Sequence, residues 1–234
     1  MVKPASRRSS AVSVASITNG AVWARHLTPE QLDRVRRDMG ERLVRSGDLV
    51  CRVNEPADYW YGVCDGLVKM RMTTREGIEV SFLVVSAGGW FGEGTLLKAE
   101  RRRYDIVALR DSRIALMPLS TFTWLVNNSV GFNQFLLHQL NERLGQILAL
   151  VANGRAQNID GRVAQAVAAL FHPHLYPGAS LTIRVSQEEL GHLAGVSRQR
   201  ANEALHRVEK TGIIKVDYGK ITVLDIERLR SFQS

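Results

Sequence analysis

The sequence predicts an α+β chain in three parts: an N-terminal β-roll of the jelly-roll kind, one long helix, and a C-terminal winged helix-turn-helix. Three observations predict it. Short β-rich runs broken by Gly, Pro, Asn and Asp fill residues 42–119. Aliphatic residues recur at alternating spacings of three and four between 137 and 151. The stretch SQEELGHLAGVSRQRANEAL at 186–205 reads as two short helices around a tight turn. The 234 residues suffice for one large or two ordinary domains with a real core. Charge is unbalanced, with 31 Lys and Arg against 23 Asp and Glu. The resulting net charge of +8 suits a polyanionic partner.

Residues 1–20 carry Lys and Arg but no acidic residue and are rich in Ser and Ala, so a disordered basic tail is expected. Trp23 to Met39 predicts a helix, with Thr28 as cap, Pro29 at the first position, and Leu32 and Val35 facing inward. The strand candidates of the β-roll follow: Leu43–Val44, Leu49–Val53, Tyr59–Val63, Leu67–Thr73, Ile78–Val85, Ile106–Arg110 and Ile114–Pro118. Gly47-Asp48, Glu55-Pro56, Asp65-Gly66, Glu76-Gly77 and Gly88-Gly89 are the turns between them.

Within this region Gly92-Glu93-Gly94 opens a short helix, and Arg101, Arg102 and Arg103 follow. Helix-start amides with an arginine about ten residues on can hold a phosphate, and Glu93 could accept from a ribose hydroxyl. A solvated basic loop has the same composition. The candidate pocket residues are Gly92, Glu93, Gly94, Arg102, Arg103 and Tyr104.

Gly131 to Ala156 predicts one long helix. Leu137, Leu140, Leu144, Ile147 and Val151 form a heptad seam, which fits the interface of a homodimer. Phe135, Leu136 and Leu148 broaden the stripe and are expected on the β-roll. The same stripe would serve as the core face of a single chain. A hinge is expected at 154–158, with Asn158 or Asp160 capping a helix over 161–170.

Ser186 and Glu189 make a capping box, Leu190 and Leu193 face inward, and Gly195 ends the first helix of the pair. Ser197 caps the second, whose buried stripe is Ala201, Ala204, Leu205 and Val208. Its leading residues Arg198, Gln199, Arg200, Asn202 and Glu203 are of the types that read base edges in a major groove. Ser186 and Ser197 suit phosphate contacts. A plain hairpin of helices with a solvated face is the simpler alternative. Gly212 then breaks the helix, and two β runs around DYGK predict a wing bearing Lys215 and Lys220 toward a phosphate backbone.

Other chemistries find little support. Cys51 and Cys64 make no CxxC pair and have no histidine at ligand spacing, which argues against a disulfide scaffold, a zinc site or a cysteine-ligated cluster. No nucleophile–base set and no phosphate-binding P-loop marks an enzyme. Without an apolar run of membrane length or a secretory core, no membrane partner and a cytoplasmic location are expected. The expected division is 1–20 tail, 21–130 β-roll, 131–157 long helix and hinge, and 158–234 winged helix-turn-helix.

The order of parts, the WFGE of 90–93, NERLGQ with DGRVAQAV, and SQEELGHLAGVSRQRANEAL followed by GII resemble the Crp–Fnr family of bacterial transcription regulators over about residues 25–225. The resemblance implies a cyclic-nucleotide-binding-type β-roll and a homodimer that binds a two-fold DNA site. It also implies RNA polymerase as a further partner. Ser197 and Arg198 match the serine and arginine that start the family's recognition helix. Gln199 stands where many members have a cytosine-reading glutamate, and Glu203 where they have a second base-reading arginine.

The pocket departs too. Counted from Glu93, the phosphate-holding arginine falls on Arg103, followed by Tyr104 and Asp105 instead of a small hydroxyl residue and an alanine. The family's adenine-reading hydroxyl pair falls on Ile147-Leu148. These departures predict that cyclic AMP is not the effector. They leave an unidentified anionic nucleotide, cyclic di-GMP included, or no cofactor at all. A ligand-sensing module that regulates a partner protein is the second functional class.

Overall fold

A computed structural model describes residues 18, 20–73, 76–77, 79–156, 158–177, 180–217 and 219–232. The expected basic tail and Tyr218 of the wing turn fall outside them, apart from Thr18 and Gly20. A 3-10 turn (Val22–His26) leads into α1 (Pro29–Asp38), β1 (Gly40–Val44), β2 (Leu49–Cys51), β3 (Tyr59–Asp65), β4 (Leu67–Thr73), β5 (Glu79–Ser86) and β6 (Trp90–Phe91). Next come α2 (Glu93–Leu97), β7 (Asp105–Ala108), β8 (Ser112–Pro118), α3 (Leu119–Asn128), α4 (Val130–Ala156) and α5 (Ile159–Ala169). The chain then runs through β9 (Thr182–Arg184), α6 (Gln187–Ala194), α7 (Arg198–Lys210), β10 (Ile214–Asp217), β11 (Lys220–Val223) and α8 (Ile226–Arg230).

Two four-stranded antiparallel sheets, ordered β1-β8-β3-β6 and β2-β7-β4-β5, form the β-roll. Alternation along each strand fills its interior: Tyr61, Val63, Val68, Met70, Leu83, Val85, Phe91, Ile106 and Ile114 belong to one buried cluster. A second cluster lies under the helices. There Trp23, Trp60, Trp90, Phe122 and Phe132 meet edge-on or tilted, with centroids 4.4–6.1 Å apart in the close pairs. The third core joins α5–α8 with β9–β11 and reaches Leu67 and Val84 of the β-roll.

Several elements differ from the sequence reading. The helix expected over 23–39 is two pieces, because Thr28 forms a full capping box with Gln31 and sets a fresh helix start after the extended Leu27. The short strand β6 and helices α3 and α8 were not anticipated. The wing has three strands, ordered β10-β11-β9, with Ile221 opposite both Val216 and Ile183. Asn158, not Asp160, caps α5 by accepting from the Gly161 N–H. Asp160 instead takes a bidentate pair from Arg207, both contacts 2.7 Å, tying α5 to α7. Among the described residues no helix is long and apolar enough to cross a membrane, and no group of three His, Cys, Asp or Glu side chains is placed to hold a metal ion.

Candidate nucleic-acid interface and effector pocket

The α6–α7 pair is built from local rules. Ser186 Oγ accepts from the Glu189 N–H at 3.1 Å while Glu189 accepts from the Ser186 N–H at 2.7 Å. Gly195 closes α6 at φ 63°, a left-handed value that favours glycine. Arg162 of α5 donates to the carbonyls of Ala194 and Gly195 at 2.6 and 2.7 Å, fixing the turn from below. Sequence reasoning missed Arg162; no spacing rule marks a residue that serves a turn 32 positions away. Ser197 caps α7 by accepting from the Arg200 N–H. Both serine oxygens act as acceptors in these caps, so each O–H proton remains able to donate to a phosphate.

With Ala201, Ala204, Leu205 and Val208 buried, the opposite face of α7 looks outward. Arg198, Gln199, Arg200 and Glu203 are all exposed there. Gln199 donates to Glu203 at 3.1 Å, so these two side chains form a coupled pair one turn apart. Asn202 is a correction to the sequence reading. Its amide oxygen accepts from Gln187 of α6 at 2.5 Å, which makes it a half-buried tie between the helices and not part of the outward row. Lys215 and Lys220 sit on the exposed positions of the wing, with Lys215 Nζ 3.6 Å from Asp217.

The long helix has two faces. Phe132, Leu136, Gln139 and Gln146 are buried. Gln139 and Arg143 donate to the Trp90 carbonyl at 3.4 and 2.8 Å. On the other side Leu137, Leu144, Leu148 and Val151 are 51–67% exposed, while Leu140 and Ile147 are half-buried. Leu148, expected against the β-roll, therefore belongs to the outward seam: it lies four residues beyond Leu144, on the same helix face.

In the β-roll the adjacent arginines Arg102 and Arg103 have opposite surroundings. Arg103 is exposed and paired with Glu100 at 2.7 Å. Arg102 is 1% exposed, packs against Gly92, stacks its guanidinium 4.9 Å from the Tyr61 ring centroid, and donates to the Tyr59 carbonyl at 2.5 Å. Its Nε and Nη1 find no protein partner. Counting along the loop cannot tell which of the two adjacent arginines turns inward. Asp105 has partners of its own in the loop and strand beside it. It accepts from the Val53 N–H at 2.8 Å and faces Arg71 at 3.4 Å.

Glu93, 2% exposed at the start of α2, accepts from the Trp60 indole at 3.2 Å and lies 3.5 Å from Arg143 of α4. Gly94 lies within α2. Tyr104 is half-buried against the same group, and burial with the nearby Glu93 carboxylate pushes its phenol up. Tyr176, between α5 and β9, is a pocket residue that sequence reasoning missed. It is fully enclosed, and burial raises its phenol against the pull of Arg143. Cys51 and Cys64 are thiols that burial pushes up to about 11, which leaves them unreactive near neutral pH.

Comparison with known proteins places both halves. Residues 41–129 match the cyclic nucleotide-binding domain, and residues 161–232 match the Crp-like helix-turn-helix domain. The chain is 26% identical to transcriptional regulator SdrP of Thermus thermophilus, over 80% of this chain and 90% of that protein. It is also 26% identical to the cyclic AMP receptor protein of the same organism, over 84% and 89% respectively. In fold it is similar to FixK2 of Bradyrhizobium japonicum, with a TM-score of 0.69 at 18% identity, covering 84% of this chain and 98% of that one. Two matched domains in this order, joined by α4, show that the chain belongs to the Crp–Fnr family of transcription regulators, with a helix-turn-helix DNA-binding domain.

Proposed function

We propose that the protein is a homodimeric regulator that binds a two-fold DNA site in sequence-specific fashion and that its β-roll does not use cyclic AMP. The observation that carries the DNA reading is the outward row of Arg198, Gln199, Arg200 and Glu203 on a helix whose other face is wholly apolar and buried. Arg198 can hold guanine O6 and N7, and Glu203 with Gln199 can accept from cytosine N4–H and contact adenine. Lys215 and Lys220 neutralise phosphates beside the helix. The exposed apolar seam of α4 supports a two-fold dimer, since a lone chain would leave Leu137, Leu144, Leu148 and Val151 in water.

The cyclic AMP reading is disfavoured on both sides of the pocket. Arg102, enclosed there, is followed by Arg103 and the bulky Tyr104. Ile147 and Leu148 offer no hydroxyl to an adenine. Arg143 already neutralises Glu93 from inside, where a ribose would need that carboxylate. Each lost contact that involves a charge removes about 1.5–3 kcal/mol of affinity, and each neutral hydrogen bond about 0.5–1.5 kcal/mol. The division at 21–130, 131–157 and 158–234 accommodates this scheme, with RNA polymerase as the natural further partner of a transcription regulator.

The test is selection from a random duplex library with the purified protein. The expected product is a palindromic consensus bound by two protomers, with half-site centres one helical turn, about 34 Å, apart. Selection of an asymmetric site by one protomer would refute the reading. A ligand-sensing module acting on a partner protein would select no DNA consensus at all.

A further inference from the structure

The segment after α5 enters the β-roll. Leu175 and Tyr176 are each 2% exposed and pack with Tyr61, Val85 and Phe91 of the barrel interior. Tyr176 reaches past β5, which is an edge strand of its sheet. Its phenol donates to the Val84 carbonyl at 2.7 Å. The ring lies over Gly89; a Cβ there would come within 2.7 Å of the ring and 2.6 Å of Val85 Cγ1. Arg143 and Gln146 of α4 flank the same phenol, and Glu93 acts on it from the pocket. On the outer face of the sheet, Val84 of β5 and Leu67 of β4 pack with Val163, Val167 and Leu190 of the C-terminal domain. One side chain of the DNA-binding half thus touches the pocket, the edge of the β-roll and the seam helix together.

We propose that Tyr176 is a positioning residue for DNA binding: seated between Gly89, the Val84 carbonyl and Arg143, it fixes the C-terminal domain on the β-roll and so sets the separation of the two recognition helices. The pocket of the β-roll then works as a socket for the chain's own tyrosine. This rests on the two-fold DNA reading above. In the seated arrangement Ser197, Arg198, Gln199 and Arg200 are all exposed, as DNA binding requires. Tyr176 is remote from the outward row of α7, so it acts through geometry and not through contact with bases.

The test uses the full chain, duplexes selected with the unaltered protein, and two versions of each duplex, one with both half-sites and one with a single half-site. Tyr176→Ala is expected to weaken binding to the two-half-site duplex tenfold or more and to leave single-half-site binding unchanged. Tyr176→Phe keeps the ring in the socket and is expected to retain most of the affinity. Gly89→Ala displaces the ring without altering any residue of the DNA-binding domain. It should reproduce the tyrosine loss and add nothing to it in the double variant, since both act through one contact. If Tyr176→Ala fails to fold, Gly89→Ala and Tyr176→Phe still decide the matter. Unchanged or tighter binding by the Gly89→Ala and Tyr176→Ala variants, equal losses on both duplexes, or additive losses in the double variant would overturn the proposal. Failure of the unaltered protein to prefer two half-sites over one would instead remove the dimer reading beneath it.

Discussion

Arg198→Ala is expected to lower affinity for the selected duplex by about 30- to 10⁴-fold and to relax the preference for one base in each half-site. A good bidentate contact to a base is worth roughly 1–3 kcal/mol of discrimination. A two-fold complex uses the contact twice, so the cost doubles to about 2–6 kcal/mol, and each 1.4 kcal/mol is about tenfold in affinity. The fold should not suffer. Arg198 is exposed at the first position of α7, and the cap at Ser197 does not involve its side chain. Lys220→Ala serves as the contrast. An exposed wing lysine that meets phosphate should weaken all duplexes alike and reduce the slope of log affinity against log salt by about one for each half-site. Fluorescence anisotropy across a salt series separates the two patterns. Loss of affinity without loss of base preference in Arg198→Ala would assign that arginine to the backbone.

Leu144→Glu is expected to convert the protein to a monomer at micromolar concentration, seen by sedimentation velocity. Leu144 is 57% exposed and lies midway along the seam between Leu137 and Val151. An apolar side chain of this size contributes about 1.5–3 kcal/mol when buried. Near a two-fold axis the substitution also sets two carboxylates close together in an apolar interface, where neither has a partner. The melting temperature of each protomer's β-roll should barely move, because the face of α4 that holds Gln139 and Arg143 against Trp90 is untouched. DNA affinity should fall to that of a single half-site. A dimer that survives the substitution would place the interface elsewhere on the chain.

The C-terminal half was the more legible part of the sequence. Ser186 with Glu189, Gly195 and Ser197 each perform a local job, and local rules identify such residues without knowledge of what lies across the fold. Strands β3, β4, β5 and β8 were legible for the same reason, since their alternation and glycine turns are local. What stayed hidden depends on distant partners. Asn202 has the chemistry of a base reader, but Gln187 fifteen residues earlier claims its oxygen. Arg102 and Arg103 are indistinguishable by type; only the path of the loop decides which is enclosed and which pairs with Glu100. Tyr176 gave no signal, because its socket consists of a glycine 87 positions away, a backbone carbonyl and side chains of another helix. The strands β6 and β9 were missed because two or three residues are too few to show a period.

The most direct test of the account is an anisotropy titration of the unaltered protein on its selected palindromic duplex, alone and with saturating cyclic AMP or cyclic di-GMP. The account predicts tight two-protomer binding without any ligand and no change with cyclic AMP. It predicts this because Arg143 already engages Glu93, the bulky Tyr104 packs against the buried cluster of the β-roll, and Ile147-Leu148 cannot hydrogen-bond an adenine. A gain of tenfold or more with cyclic AMP, about 1.4 kcal/mol of coupling, would contradict it and make Arg102 the anchor of a working nucleotide site.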